Sequence, residues 1–317
     1  MVLIDRSDSN AIAGSSHLAV VSSGSLRLDL ALCTGGIPLG ALVEISGPEE
    51  SGKTTLCQHV VAEAQRAGRY CAWIDSDCTF PAAYSLRSSL RIKELYYSEP
   101  HSSEQSLDTL LTLAESGAFS VVVLDSIDTL VPSDELQGLP NMGSVQRNEQ
   151  LLGIIVPRLS RAASRNRTAV LITNHPDRQL SAAYHQLHRH PFRLALKLHA
   201  DLRLRLQRVE YLQQGEITIG EKIRVAITKN RFVPCLNTID FDIIYDQGIN
   251  KPDEVFTLGL ALAKIQQGAE GYNFRTVHLG RTSLEAIRFL MSNTQVRNAI
   301  EAEIRRELLP GTNNAAS

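Results

Sequence analysis

Apolar residues in this chain fall into short runs closed by polar or glycine-rich punctuation, with helical spacing between them. Ala41–Ser46, Tyr70–Asp75, Ser120–Asp125 and Thr168–Asn174 are such runs, and nearly unbroken apolarity predicts strands buried on both faces. Thr55–Ala67 places Leu56, Val60, Val61 and Ala64 on one helical face. A helix is expected over Ala82–Leu90. Another is expected from about Arg147 to Ser164, with Leu151, Leu152, Ile155 and Leu159 inward and a kink at Pro157. Leu202, Leu204 and Leu206 alternate with Arg203, Arg205 and Gln207, the period of a half-buried strand whose arginines face solvent. A Gln213-Gln214-Gly215 turn then leads to a partner strand over Glu216–Lys229. Beyond FDIIYDQGIN the pattern turns helical over Val255–Gln266, crosses a turn-rich segment to Gly280, and closes with helices over Ser283–Met291 and Gln295–Leu309. Buried strands alternating with amphipathic helices predict an α/β fold, a mainly parallel twisted sheet with helices on both faces and its site at the carboxyl ends of the strands.

The junction between the first strand and the first helix carries chemistry. Gly47-Pro48-Glu49-Glu50-Ser51-Gly52-Lys53-Thr54 fits the phosphate-loop pattern G-x-x-x-x-G-K-[ST] in the strand–loop–helix context it needs. Two glycines let successive amides turn inward, and the helix start, with Thr55, adds partial positive charge. ATP is the expected nucleotide, with Lys53 at the β- and γ-phosphates and the Thr54 hydroxyl on Mg²⁺. Ser120–Asp125 is an apolar strand closed by a carboxylate, and Asp125 would hold the same Mg²⁺ through water. Asp77, just past the end of the second strand, reads either as the acid that orients attacking water or as a helix N-cap.

Composition narrows the class. The 317 residues are 43% hydrophobic, enough for one large domain and a smaller one. No apolar run approaches membrane-spanning length, and Met1–Ser16 lacks a secretory pattern, so a cytoplasmic protein without membrane contact is expected. A net charge of -2 requires any nucleic-acid contact to come from a local basic patch. The odd cysteine count, without a C-x-x-C pair, suits reduced thiols and argues against structural zinc. His185, His188 and His190 have no acidic or cysteine partner nearby in sequence, so a solvated basic loop outweighs a metal site there.

From Val20 the text VSSGSLRLDLALCTGGIPLGALVEISGPEESGKTTL resembles the bacterial RecA recombinase family, and the resemblance continues in register to about Leu309. It implies a RecA-type ATPase core over residues 17–249 with a small C-terminal α/β domain over 250–309, flanked by polar tails at 1–16 and 310–317. It also implies ATP hydrolysis coupled to single-stranded DNA binding, self-association into a filament or ring, homologous pairing and repair. Asp77 stands where the family has its catalytic glutamate, one methylene shorter, about 1.5 Å. Tyr84 matches the adenine-stacking tyrosine, or is an ordinary core aromatic. Met142, Gly143 and Arg147 match the first DNA-binding loop, shortened here. His175 replaces a glutamine that senses the γ-phosphate. Arg178, Arg189 and Arg193 occupy the second DNA loop, without its glycines. Lys229 and Arg231 match two cations that enter a neighbouring subunit's ATP site, or are surface cations on a hairpin. With Asp77, His175, the short first loop and a short start departing from the family, a second reading is a RecA paralogue that binds ATP or DNA and assembles with another RecA without exchanging strands.

Overall fold

A computed structural model describes residues 18–80, 89–127, 130, 142–175, 191–235, 237–245 and 247–309, with the side chains of 142–152 and 191–194 left aside. Nine strands form one sheet in the order β11 (Gly248–Ile249), β10 (Thr238–Ile244), β9 (Ile217–Asn230), β8 (Leu202–Gln214), β3 (Leu42–Ser46), β7 (Ala169–Asn174), β6 (Val121–Asp125), β4 (Cys71–Asp75) and β5 (Leu95–Ser98). From β8 to β5 every pairing is parallel, and β9, β10 and β11 extend the sheet antiparallel. The expected mainly parallel α/β sheet is therefore the observed one. A short antiparallel pair, β1 (Val20–Val21) with β2 (Ile37–Pro38), precedes it.

The strand period of two sorts the core onto two faces. Val43, Ile45, Trp73, Val123 and Leu171 lie on one, packed against Leu56, Val60 and Val61 of α2 (Lys53–Arg66). Leu42, Ile74, Val122, Leu124 and Ile172 lie on the other, against Leu107 and Leu110 of α3 (Ser103–Ser116), Leu159 of α4 (Met142–Asn166) and Leu196 of α5 (Pro191–His199). Each such side chain stabilises the fold by roughly 1.5–3 kcal/mol on leaving water. α4 starts before the expected Arg147 and runs on through Pro157 to Asn166.

A third core joins the two ends of the chain. Leu26 and Leu30 of α1 (Leu26–Ala31) pack with Val255 and Phe256 of α6 (Lys251–Ala261), Leu290 of α7 (Ser283–Ser292), and Ile300 and Ile304 of α8 (Thr294–Leu308). α6 ends before the expected Gln266 because Ala263 turns left-handed (φ 54°), and the turn-rich segment contains a small sheet, β12 (Gln266–Gly268), β13 (Gly271–Phe274) and β14 (Val277–Gly280). Buried charges bridge the same contact. Glu63 of α2 meets Lys251 at 3.5 Å, Lys251 meets Glu301 at 3.0 Å, Glu301 meets Arg305 at 2.8 Å, and Arg305 reaches Asp29 of α1. Burial opposes the charge on Lys251, but Glu301 and Glu63 outweigh it and raise its pKa. Nearby, Glu254 accepts from the Ser25 hydroxyl at 2.7 Å and the Arg27 amide at 3.1 Å, so it stands at the open start of α1.

Candidate active site

Between β3 and α2 the chain makes the turn that the phosphate-loop spacing predicts. A Cβ on Gly47 would stand 2.4 Å from the Leu206 carbonyl and 2.5 Å from Ser51 Oγ, so only glycine lets β8 approach the loop. Gly52 is left-handed (φ 82°), and as N-cap it supplies no side-chain bond to the first amides of α2. Those donors are the ones a helix start offers to an anion. Ser51 is buried, and Lys53 folds back so that its Nζ donates to the Gly47 carbonyl (2.9 Å) and the Pro48 carbonyl (2.6 Å). An ammonium lying along the loop's own carbonyls is in reach of whatever the loop encloses. Glu50, left-handed at φ 55°, is met by Arg208 of β8 at 3.2 Å, so the outer wall of the loop is tied to the antiparallel part of the sheet.

Parallel register brings the other candidates to the same edge. Ser46 pairs with Asn174 and Asp75 with Asp125, so Gly47, His175, Asp125 and Asp77 all emerge from neighbouring carboxyl ends. Thr54 Oγ1 donates to Asp125 Oδ2 at 2.8 Å, and the Thr173 hydroxyl donates to Asp125 Oδ1. Burial pushes the Asp125 carboxyl above its usual range, against the pull of those two hydroxyls and Lys53. Hydroxyl and carboxylate oxygens at this separation are the hard donors that Mg²⁺ takes. Asp75 is a structural acid. It accepts from the Phe80 amide at 2.8 Å and the Tyr97 hydroxyl at 2.8 Å, and so shapes the turn that carries Asp77, one of whose carboxylate oxygens is shielded from solvent.

Lys229 and Arg231 are not brought to this edge. Lys229 pairs with Arg203 near the amino end of β8, beside Glu44, and Glu44 and the phosphate loop are separated by three residues of β3, about 10 Å at ~3.3 Å per residue. Lys229 Nζ donates to the carbonyls of Lys197 (3.1 Å) and Leu198 (2.9 Å) at the end of α5, and Arg231 pairs with Asp201 at 3.0 Å. Burial, with Arg231 second, lowers the Lys229 pKa.

Known proteins resemble this chain along most of its length. The family model described as the RecA N-terminal domain matches residues 10–250. RecA of Rubrobacter xylanophilus is 35% identical over 294 residues, covering 93% of this chain and 86% of that protein. RecA of Chloroflexus aurantiacus is 35% identical over 93% of this chain and 85% of its own length, and RecA of Bacillus velezensis 34% identical over 91% and 83%. The chain belongs to the RecA family. Of the residues that the RecA resemblance singled out for DNA or base contact, Tyr84, Arg178 and Arg189 lie outside the described residues. Met142, Gly143 and Arg147 fall in the first turns of α4 and Arg193 near the start of α5, with side chains likewise outside the description. Among the described residues no group of three His, Cys, Asp or Glu could hold a metal ion, and no helix is long and apolar enough to cross a membrane. Several participants were missed in the sequence. Thr173 orients Asp125, and Glu44, buried in an apolar run, accepts from Asn174 Nδ2 at 2.9 Å and pairs with Arg203. The Arg203 side chain therefore does not belong to a solvated arginine stripe. Its only sequence signal is an acid inside an otherwise apolar strand.

Proposed function

We propose that this RecA-family chain is an ATP-dependent recombinase that binds single-stranded DNA, associates with copies of itself and acts in homologous pairing and DNA repair, as RecA membership implies. The observation that carries the catalytic part is the Lys53–Thr54–Asp125 constellation on one carboxyl edge of the sheet. Nucleotide phosphates sit against the open amides of α2, with Lys53 swinging from the Gly47 and Pro48 carbonyls to the β- and γ-oxygens. Mg²⁺, when bound, neutralises developing charge on the transferred phosphoryl group. Thr54 and Asp125 would hold it, while Thr173 fixes the Asp125 rotamer. Asp77 takes the proton of the attacking water, with a shorter reach than a glutamate, and His175 stands where it can touch the γ-phosphate side.

Lys229 and Arg231 serve the site of a second copy, since in their own chain they lie toward the end of the sheet opposite the phosphate loop. DNA contact falls to Met142, Gly143 and Arg147 on one segment and Arg178, Arg189 and Arg193 on another. The division into a core over 17–249 and a C-terminal part over 250–309 fits these roles, and a cytoplasmic location suits the substrate. RecA proteins matched along most of their length favour the recombinase over the paralogue reading. The test is ATP turnover with and without single-stranded DNA, followed by strand exchange between homologous duplex and single strand. Several-fold stimulation with exchange is expected. Unstimulated turnover without exchange selects the paralogue.

A further inference from the structure

Away from the nucleotide edge, the C-terminal end of α1 is closed by an unusual set of groups. A helix leaves its last carbonyls without intrahelical donors, and here the end of β9 and the segment after it supply them. Asn230 Nδ2 donates to the Leu32 carbonyl at 3.0 Å, and Asn237 Nδ2 to the Ala31 carbonyl at 3.3 Å. The same Ala31 oxygen is touched by two thiols, Cys33 at 3.7 Å and Cys235 at 3.3 Å. Two atoms that close to one oxygen lie no more than about 7 Å apart, the sum of the two distances. Both residues are partly exposed, so a small oxidant reaches them. Cys57 and Cys71 are buried.

A second observation is independent of that distance. Cys33 is left-handed (φ 59°) just past the helix end, where a glycine is the low-cost residue. A thiol is held at a backbone position that disfavours residues with a Cβ, Asn and Asp least. Its opposite number, Cys235, lies between β9 and β10, outside any strand, where a shift of a few ångströms breaks no ladder.

We propose that Cys33 and Cys235 are a redox modification site, forming a reversible intrachain disulfide that staples the β9–β10 connection to the end of α1. The oxidant is a low-molecular-weight disulfide of the glutathione type. The Cys235 thiolate attacks one of its sulfurs and expels one small thiol, giving a mixed disulfide. The Cys33 thiolate then attacks the Cys235 sulfur and expels the second small thiol. Two protein thiols are oxidised, one small disulfide is reduced to two thiols, and the two cysteine protons end on those products. In a reducing compartment such a bond is transient and responsive, not structural. Resting on the function proposed above, the staple would also restrain Arg231, which precedes Cys235 in the same connection.

The full-length protein is incubated with excess oxidised glutathione, alkylated, digested without reduction and mapped by mass spectrometry, with thermal unfolding measured in parallel. A linked Cys33–Cys235 peptide that disappears with dithiothreitol is expected, together with a rise in Tm of roughly 4–8 °C, because the bond closes a very long loop. Cys33→Gly, which suits the left-handed backbone and so keeps the fold, and Cys235→Ser should each abolish both signals. Glutathione adducts alone at these cysteines, pairing with another cysteine, or a Tm rise that survives in Cys33→Gly would overturn the proposal. None of these readouts uses ATP or DNA, so a failure of the recombinase reading leaves this result standing, and the reverse.

Discussion

Glu254 links α6 to the start of α1, and its carboxyl lies in a fully buried position. Burial raises its pKa from 4.5 to about 7, while hydrogen bonds from Ser25 and the Arg27 amide hold it partly down. A carboxyl whose folded pKa is raised contributes stability that is fully present below its unfolded value and is lost as pH rises through the folded one. Between pH 6 and 8 the unfolded carboxyl is already ionised while the folded one passes from mostly protonated to mostly charged. The loss across that window is about one pKa unit's worth, ~1.4 kcal/mol. For a chain of this size that lowers Tm by roughly 2 °C. Glu254→Gln keeps an acceptor for Ser25 but turns an N–H toward the Arg27 amide, so it should be less stable by about 1–2 kcal/mol at low pH. Its stability should then lack this part of the pH slope. Calorimetric Tm at pH 6, 7 and 8 for both proteins decides it, and the nine histidines cancel in the difference. His59, which burial holds down to about 4, stays neutral throughout. Equal pH slopes in parent and variant would refute the assignment of this ionisation to Glu254.

Four further outcomes are expected. Gly47→Ala should displace the loop from β8 and cost at least ten-fold in ATP affinity by calorimetry, since its methyl carbon would overlap the Leu206 carbonyl. Lys53→Ala should remove most phosphate affinity while the far-ultraviolet circular dichroism stays unchanged; equally tight ATP binding would exclude the phosphate-loop assignment. Asp77→Glu should raise single-turnover hydrolysis and Asp77→Ala lower it, within the ~10²- to 10⁴-fold that a positioned base supplies; unchanged rates in both would leave Asp77 a cap. Replacing Arg178, Arg189 and Arg193 together by Ala should lower the salt slope of single-stranded DNA binding by up to about 2 units, at ~0.7 per phosphate, read by fluorescence anisotropy; an unchanged slope removes these residues from the interface.

Much of the sheet could be read from the residues because buried parallel strands are short apolar runs, and β3, β4, β6 and β7 each begin within a residue of where the pattern places them. The phosphate loop was equally legible, since its glycines and Lys53 answer to local backbone geometry. α3 has its own signals in the sequence, Ser102 as cap, Gly117 (φ 67°) as stop and an apolar face of Leu107, Leu110 and Ala114, but lacks a chemical motif to draw attention to it. What could not be read is long-range. Nothing local in Glu44 announces Arg203 and Asn174, and nothing in Cys33 announces Cys235, because the partners are set by strand order across more than a hundred residues. Lys229 and Arg231 were legible as cations but not as remote from the loop, which only the direction of β8 and β9 decides.

If those cations act in a neighbour's site, that remoteness gives an open row of subunits a polarity. If the cations leaving one end of the sheet complete a site at the other end of the next subunit, each row of subunits has one terminal site left incomplete and one terminal pair of cations left idle. Turnover per subunit then reports row length, climbing toward a ceiling as rows grow. A minority of subunits lacking only Lys229 and Arg231 would silence their neighbours' sites while keeping their own intact, so damage would propagate by one place and in one direction.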